Sequence, residues 1–147
     1  APVVGELVAT DDAAAMVEQL RERVREEQLN NVRVAVQDLY EPLADELFDA
    51  VVAENVLHLV PDLPGALASL RTSVRSGGLV VVPTYCHAQT WSARLVSAVM
   101  GVFGFPGQRR LSLASLVEAV EASGLQVQRA ECLPGLLPIG FVSAVVP

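Results

Sequence analysis

The sequence predicts an α/β fold: a mostly parallel sheet with helices on its faces. Three observations carry this reading. Short, Val-rich apolar runs bounded by turn signals recur at Glu6–Thr10, Val32–Val36, Asp49–Ala53 and Leu79–Val82, as strands buried on both faces do. Segments with helical apolar spacing alternate with them. Two of the runs, VRVAV and FDAVVAE, lead into a carboxylate, Asp38 after the first and Glu54 at the close of the second. The carboxyl end of a strand is where open α/β sheets bind their ligands.

In order, ELVAT is a strand ending at Asp11-Asp12, either of which can cap the helix that follows. That helix runs to about Gln28, with Met16, Val17, Leu20 and Val24 on one face and Asn30-Asn31 as its stop. Glu18–Arg21 and Arg23–Glu27 are expected surface pairs. The strand Val32–Val36, an acidic loop over 38–48 and the strand Asp49–Ala53 come next. Asp62 is the expected N-cap of a helix with Pro64 in its first turn. Leu67, Leu70 and Val74 form its inner face, and Gly77-Gly78 is its expected left-handed stop. Leu79–Val82 is a strand leading into Pro83-Thr84-Tyr85-Cys86-His87. Residues 88–110 break the rhythm and read as a lid-like insertion after a strand's carboxyl end. Ser112 caps a helix with Leu113, Leu116, Val117 and Val120 inward and Gly124 as its stop. The strands Leu125–Cys132 and Ile139–Val146 are joined by a short turn, which suits antiparallel pairing.

At 147 residues the chain is expected to be a single domain. Its net charge of −7 argues against nucleic acid, which needs a basic stripe, and against an anionic membrane surface. Cys86 and Cys132 form no CxxC motif, so neither a metal site nor a disulfide framework is expected. Residues 1–10 lack the regions of a signal peptide, and no apolar run is long enough to span a bilayer, so a cytoplasmic location is expected.

Five pieces then stand in a telling order: LVATDDAAAM, NVRVAVQDLYEPL, LFDAVVAENVLHLVPD, ALASLRTSVRSGGLVVV and RRLSLASLVEAVEASGLQV. Through them the chain resembles class I S-adenosylmethionine-dependent methyltransferases. It is most similar to the small-molecule branch that includes the ubiquinone/menaquinone C-methyltransferases. The resemblance implies a Rossmann-like sheet with an antiparallel last strand, and methyl transfer from S-adenosylmethionine to a small-molecule acceptor. It implies that Asp11, with Asp12 beside it, accepts from the ribose hydroxyls, and that Met16 packs near the adenosine. Asp38 would accept from the adenine amino group and Leu39 would offer its backbone N–H. Glu54, Asn55 and Val56 would line the methionine end.

Plainer readings stand beside these. Asp11 and Asp12 are also good helix caps, Asp38 is also a good turn acid, and Met16 is also a core residue. His58, between two leucines, is first a structural hydrogen-bonder and second a catalytic candidate. His87 follows a strand and is the better-placed general base.

The family opens with a strand and a glycine-rich turn that residues 1–10 do not match, so the resemblance implies that this first strand and its helix are missing. Leu7–Thr10 and Ala50–Ala53 would then each have an edge without its usual partner. A close-packed core resists a shift of one strand spacing, roughly 4.8 Å. Association as a homodimer, or with the absent fragment, is therefore expected over closure of the sheet. The rival to an enzyme is an inactive methyltransferase-like module that binds partners through such an edge.

Overall fold

The computed structural model describes residues 3–41, 47–86, 111–135 and 138–147. His87 and the lid-like insertion 88–110 lie outside the described residues. The chain divides into two compact units, Ala1–Ala44 and Asp45–Pro147.

The first unit is a βαβ unit. The strands β1 (Leu7–Asp11) and β2 (Val32–Val36) pair in parallel, with Leu7 opposite Val32 and Asp11 opposite Val36. Helix α1 (Ala14–Glu26) connects them. Its N-cap is Ala13 and makes no side-chain cap bond, which corrects the expectation that Asp11 or Asp12 caps it. Asp11 instead accepts the N–H of Ala13 through Oδ1 at 2.8 Å, one residue short of the helix. The expected face is also turned slightly. Val17 is fully buried, whereas Met16 is 53% exposed.

The end of α1 differs from expectation as well. Asn30-Asn31 does not stop it; Gln28 does, in the left-handed conformation with φ +53°. The N–H of Gln28 donates to the Arg25 carbonyl and that of Leu29 to the Val24 carbonyl, which is the Schellman pattern. The predicted pairs Glu18–Arg21 and Arg23–Glu27 form, and Arg25 also reaches Glu18. The two arginines hold the Glu18 carboxyl below its usual range.

Among the described residues, the second unit holds a five-stranded mixed sheet and two helices. Its strands are β3 (Phe48–Val52), β4 (Val74–Val81), β5 (Thr84–Tyr85), β6 (Gln126–Leu133) and β7 (Ile139–Val145). β3 lies parallel to β4, and β4, β5 and β6 are each antiparallel to β7. All but the last strand thus run one way, as predicted. β4 and β5 share one edge of β7 and are interrupted at Pro83, which has no N–H for the ladder. The amides of Val82 and Cys86 continue that ladder on either side, donating to Val142 and Pro138.

Helix α2 (Leu63–Thr72) starts as predicted, with Asp62 Oδ1 accepting the Gly65 N–H at 3.1 Å and Pro64 in its first turn. It ends earlier than predicted, at the C-cap Ser73. Gly77 has the left-handed φ, +76°, that a helix stop would show. It uses that φ inside β4, where the register jumps from Phe48 opposite Val74 to Ala50 opposite Leu79. The glycines therefore shape an irregularity in a strand. Helix α3 (Leu113–Ala122) keeps its predicted cap, a capping box between Ser112 and Ser115, and its predicted stop at Gly124, φ +83°.

The core of this unit is Leu57, Leu67, Val80, Val82, Leu116, Val120 and Val142, all nearly or fully buried. Among the described residues, β1 pairs with β2 alone and β3 with β4 alone. Each is an edge strand of its own sheet among the described residues.

Candidate functional site

The first unit brings two predicted acids to neighbouring strand ends. Asp11 is the last residue of β1, and Asp38 lies two residues past the end of β2. The Gln37 N–H donates to the Asp11 carbonyl at 3.0 Å and carries the parallel ladder one step further. Strands paired in this way lie roughly 4.8 Å apart. Both acids are exposed. Each uses one carboxylate oxygen locally: Asp11 on the Ala13 N–H, Asp38 on the Tyr40 N–H at 2.9 Å. The Asp38 carbonyl also accepts from Glu41 N–H at 3.1 Å, so Asp38 is a turn acid, as the plainer reading has it. An ionised carboxylate has about four acceptor positions, and these bonds leave capacity for a ligand's donors.

Asp12 is exposed beside Asp11, Leu39 is half-buried in the Asp38 turn, and Met16 is exposed in the first turn of α1. A hollow of about 510 Å³ beside Val24, Gln28 and Asn30 opens at the amino-terminal end of β2. It is therefore remote from Asp38, since a five-residue strand is about 17 Å long.

The second unit carries the rest. Glu54 follows β3 closely and is exposed. Asn55 is half-buried, in the left-handed conformation with φ +52°, and its N–H donates to the Pro83 carbonyl at 2.8 Å. Its side-chain Oδ1 is buried with no hydrogen-bond partner among the described residues. His58 is 3% exposed. Its Nδ1 lies 3.1 Å from Oγ1 of Thr84, a fully buried residue, and its ring stands edge-on to Tyr85 with centroids 5.5 Å apart. The Pro83 and Thr84 bonds tie the segment after β3 to the segment that runs from β4 into β5. Sequence reasoning missed this tie, because nothing near Thr84 marks it as a partner for a residue 26 positions away. It named Asn55 but missed its left-handed backbone. The signal there was an asparagine just past a buried strand, the side chain that most often takes positive φ after glycine.

Cys86 is fully buried, and burial raises its thiol pKa. Among the described residues, no group of His, Cys, Asp and Glu is arranged to hold a metal, and no helix is long and apolar enough to cross a membrane.

This is an α/β architecture with acids at strand ends. The family follows from comparison: a model of the methyltransferase domain matches residues 1–82. The chain belongs to that family, the class I S-adenosylmethionine-dependent methyltransferase domains. A proposed methyltransferase from Bacillus halodurans C-125 has the same fold, with a TM-score of 0.85, 12% identity, and 99% of this chain and 85% of that one covered. An O-methyltransferase of neocarzinostatin biosynthesis, solved with S-adenosylhomocysteine and 1,4-dihydroxy-2-naphthoic acid, matches with a TM-score of 0.76 and 20% identity, over 97% of this chain and 49% of that one. Among curated sequences, a highly reducing polyketide synthase of Fusarium sp is 28% identical over 97 residues, 63% of this chain. The chain spans only 4% of that relative's length.

Proposed function

We propose that this domain transfers the methyl group of S-adenosylmethionine to a small-molecule acceptor, and that Asp11 and Asp38 hold the adenosine half. The observation that carries the proposal is the pair of exposed carboxylates at the ends of two adjacent parallel strands in one compact unit. Adenosine presents donors, the ribose hydroxyls and the adenine amino group, and a carboxylate is an acceptor without competing donors. The residues present therefore fit that half of the cofactor.

When bound, S-adenosylmethionine supplies a methyl group on a positive sulfur, open to in-line attack. The chain's own part is binding and orientation, which account for much of the acceleration in such transfers. Asp11, supported by Asp12, takes the ribose diol; Asp38 and the Leu39 N–H take the adenine edge; Met16 gives an apolar cover. Glu54, exposed just past β3 in the second unit, carries the negative charge that an ammonium group would need. His58, buried with Nδ1 against the Thr84 hydroxyl, holds its loop in place. His87 is the proposed general base where an acceptor has to lose a proton. The small-molecule class of acceptor is supported by the branch the sequence resembles and by the naphthoic acid held by the neocarzinostatin-pathway enzyme.

Calorimetric titration with S-adenosylhomocysteine and with 5′-methylthioadenosine tests the proposal. Both should bind, the second within about tenfold of the first, because it keeps every donor assigned to Asp11 and Asp38. A chain that binds neither has no adenosine site.

One observation favours association as well. Among the described residues β1 and β3 are edge strands, and each exposes an apolar side chain, Leu7 at 40% and Val52 at 61%. Open, apolar strand edges are templates for pairing. We therefore propose a homodimer, which light scattering at micromolar concentration would show as twice the chain mass. A monodisperse monomer would refute it.

A further inference from the structure

The bonds on one side of β3 decide what its other side presents. The amides of Ala53 and Asn55 donate to the carbonyls of Val81 and Pro83. Alternate residues of a strand turn their backbone groups to opposite edges, so those of Ala50 and Val52 point away from β4. Among the described residues nothing pairs with that edge. It also lacks the devices that blunt an edge, such as charge, proline or a bulge. Ala50–Ala53 holds no charged residue and no proline, and the register shift against β4 falls before Ala50. The strand's own acid, Asp49, is held by Arg75 at 2.8 Å. On one face of the pair Ala50 lies beside Leu79 and Val52 beside Val81. Val52 is 61% exposed there and Leu79 37%.

We infer that two copies of this chain join by antiparallel pairing of β3 with β3, about a two-fold axis at Val51. The inference rests on the homodimer proposed above and adds its surface and register. Ala50 exchanges both backbone bonds with Val52 of the second copy, and Val52 does the same with its Ala50. The exposed side chains then form apolar rows across the joint: Leu79 and Ala50 of one copy run on into Val52 and Val81 of the other. Asp49 comes opposite Ala53 of the second copy and Glu54 opposite its Phe48, so no like charges meet. The open edge of β1 suits itself less well. The equivalent pairing, about Ala9, would set Glu6 opposite Asp12 on both sides of the axis, and like charges directly opposed destabilise a sheet. A joint of β3 with itself uses the same surface on both copies, so it closes at two.

Cross-linking of mixed chains reads the register. Ala50→Cys and Val52→Cys lie at exposed positions, and each is made together with Cys132→Ser. In the joint these two positions stand about 5.5 Å apart, within the roughly 4.4–6.8 Å that a disulfide spans. Identical positions stand about 7–8 Å apart. In a glutathione redox buffer, with the chains at micromolar concentration, the mixture should form a disulfide-linked pair about tenfold faster than either variant alone. Val52→Pro removes an outward amide and no bond to β4. It should lower the light-scattering mass from two chains to one and keep the far-ultraviolet circular dichroism. A dimer that survives Val52→Pro, or whose mixture links no faster than the separate variants, joins by another surface; the inference then falls and the homodimer stands. A mass that keeps growing with concentration marks head-to-tail pairing of β1 on β3 and overturns the inference as well. A monomer at every concentration ends both.

Discussion

Replacing Asp38 by alanine separates the two tasks assigned to its carboxylate. In the folded chain Oδ1 accepts the Tyr40 N–H at 2.9 Å. That bond is local and exposed, and losing it costs about 0.5–1 kcal/mol, a drop in Tm of roughly 1–4 °C for a chain of this size. The second task is the proposed bond from the adenine amino group. A hydrogen bond to a charged acceptor is worth about 1.5–3 kcal/mol. Solvent around an exposed carboxylate places the effect at the low end, so Kd for S-adenosylhomocysteine should rise about tenfold. Asp38→Asn is the control. Its side-chain oxygen can still hold the Tyr40 N–H and can still accept from a ligand, though without charge. It should keep its Tm and lose only about threefold in affinity, since a neutral bond is roughly half as strong. Calorimetry and a thermal melt on the three chains read both quantities. If Asp38→Ala lowers Tm yet binds S-adenosylhomocysteine as tightly as the parent, Asp38 is a turn acid only. The assignment carried by the resemblance then fails at that residue.

Two further outcomes test the second unit. A Cβ on Gly140 would lie 2.5 Å from Cys86 Sγ and 3.5 Å from both Leu113 Cδ1 and Leu116 Cδ2, so Gly140→Ala should cost about 1–3 kcal/mol of stability in a denaturant melt. Cys86→Ala in the same chain should restore part of that loss; no recovery would mean that the strain lies elsewhere. Cys86 is fully buried with its thiol pKa raised by burial, whereas Cys132 is half-buried. A thiol reagent at neutral pH should therefore modify one cysteine in the native chain and both in guanidinium, and two fast native thiols would contradict the packing around Cys86.

Much of the fold was legible because its signals are local. Val32–Val36 reads as a strand from its own residues, and Ser112 and Asp62 cap helices through bonds that span only three positions. The misreadings fall where a distant partner decides. Gly77 carries the left-handed φ of a helix stop, yet the chain had already left α2 at Ser73 to pair with β3. A positive φ alone does not say which element it bends. Gln28 closes α1 without being a turn-forming residue, because its neighbours' carbonyls complete the Schellman pattern. Met16 and Val17 are adjacent apolar residues, and only the strands beneath α1 decide which of them is buried. At the candidate site the acids were legible from their places after apolar runs. The tie between His58 and Thr84 and the unmet oxygen of Asn55 were not, since each arises from the packing of segments far apart in sequence.

The position of β7 sets a timetable for biosynthesis. It borders β4 and β5 on one side and β6 on the other, so among the described strands of the second unit only the β3–β4 pair can form before it emerges. About sixty residues separate the end of β4 from the start of β7. At about 5–20 residues per second, translation takes roughly 3–12 seconds to cover them. Throughout that interval Val80 and Val82, almost wholly buried in the finished structure, have no final partner on that side. The first unit, whose two strands and helix lie within the first 36 residues, needs nothing from later sequence to make its pairings. A ribosome-bound nascent chain should thus hold a formed βαβ unit and, further along, a parallel β3–β4 pair with its apolar side chains still exposed, the state in which a cell's chaperones would meet it.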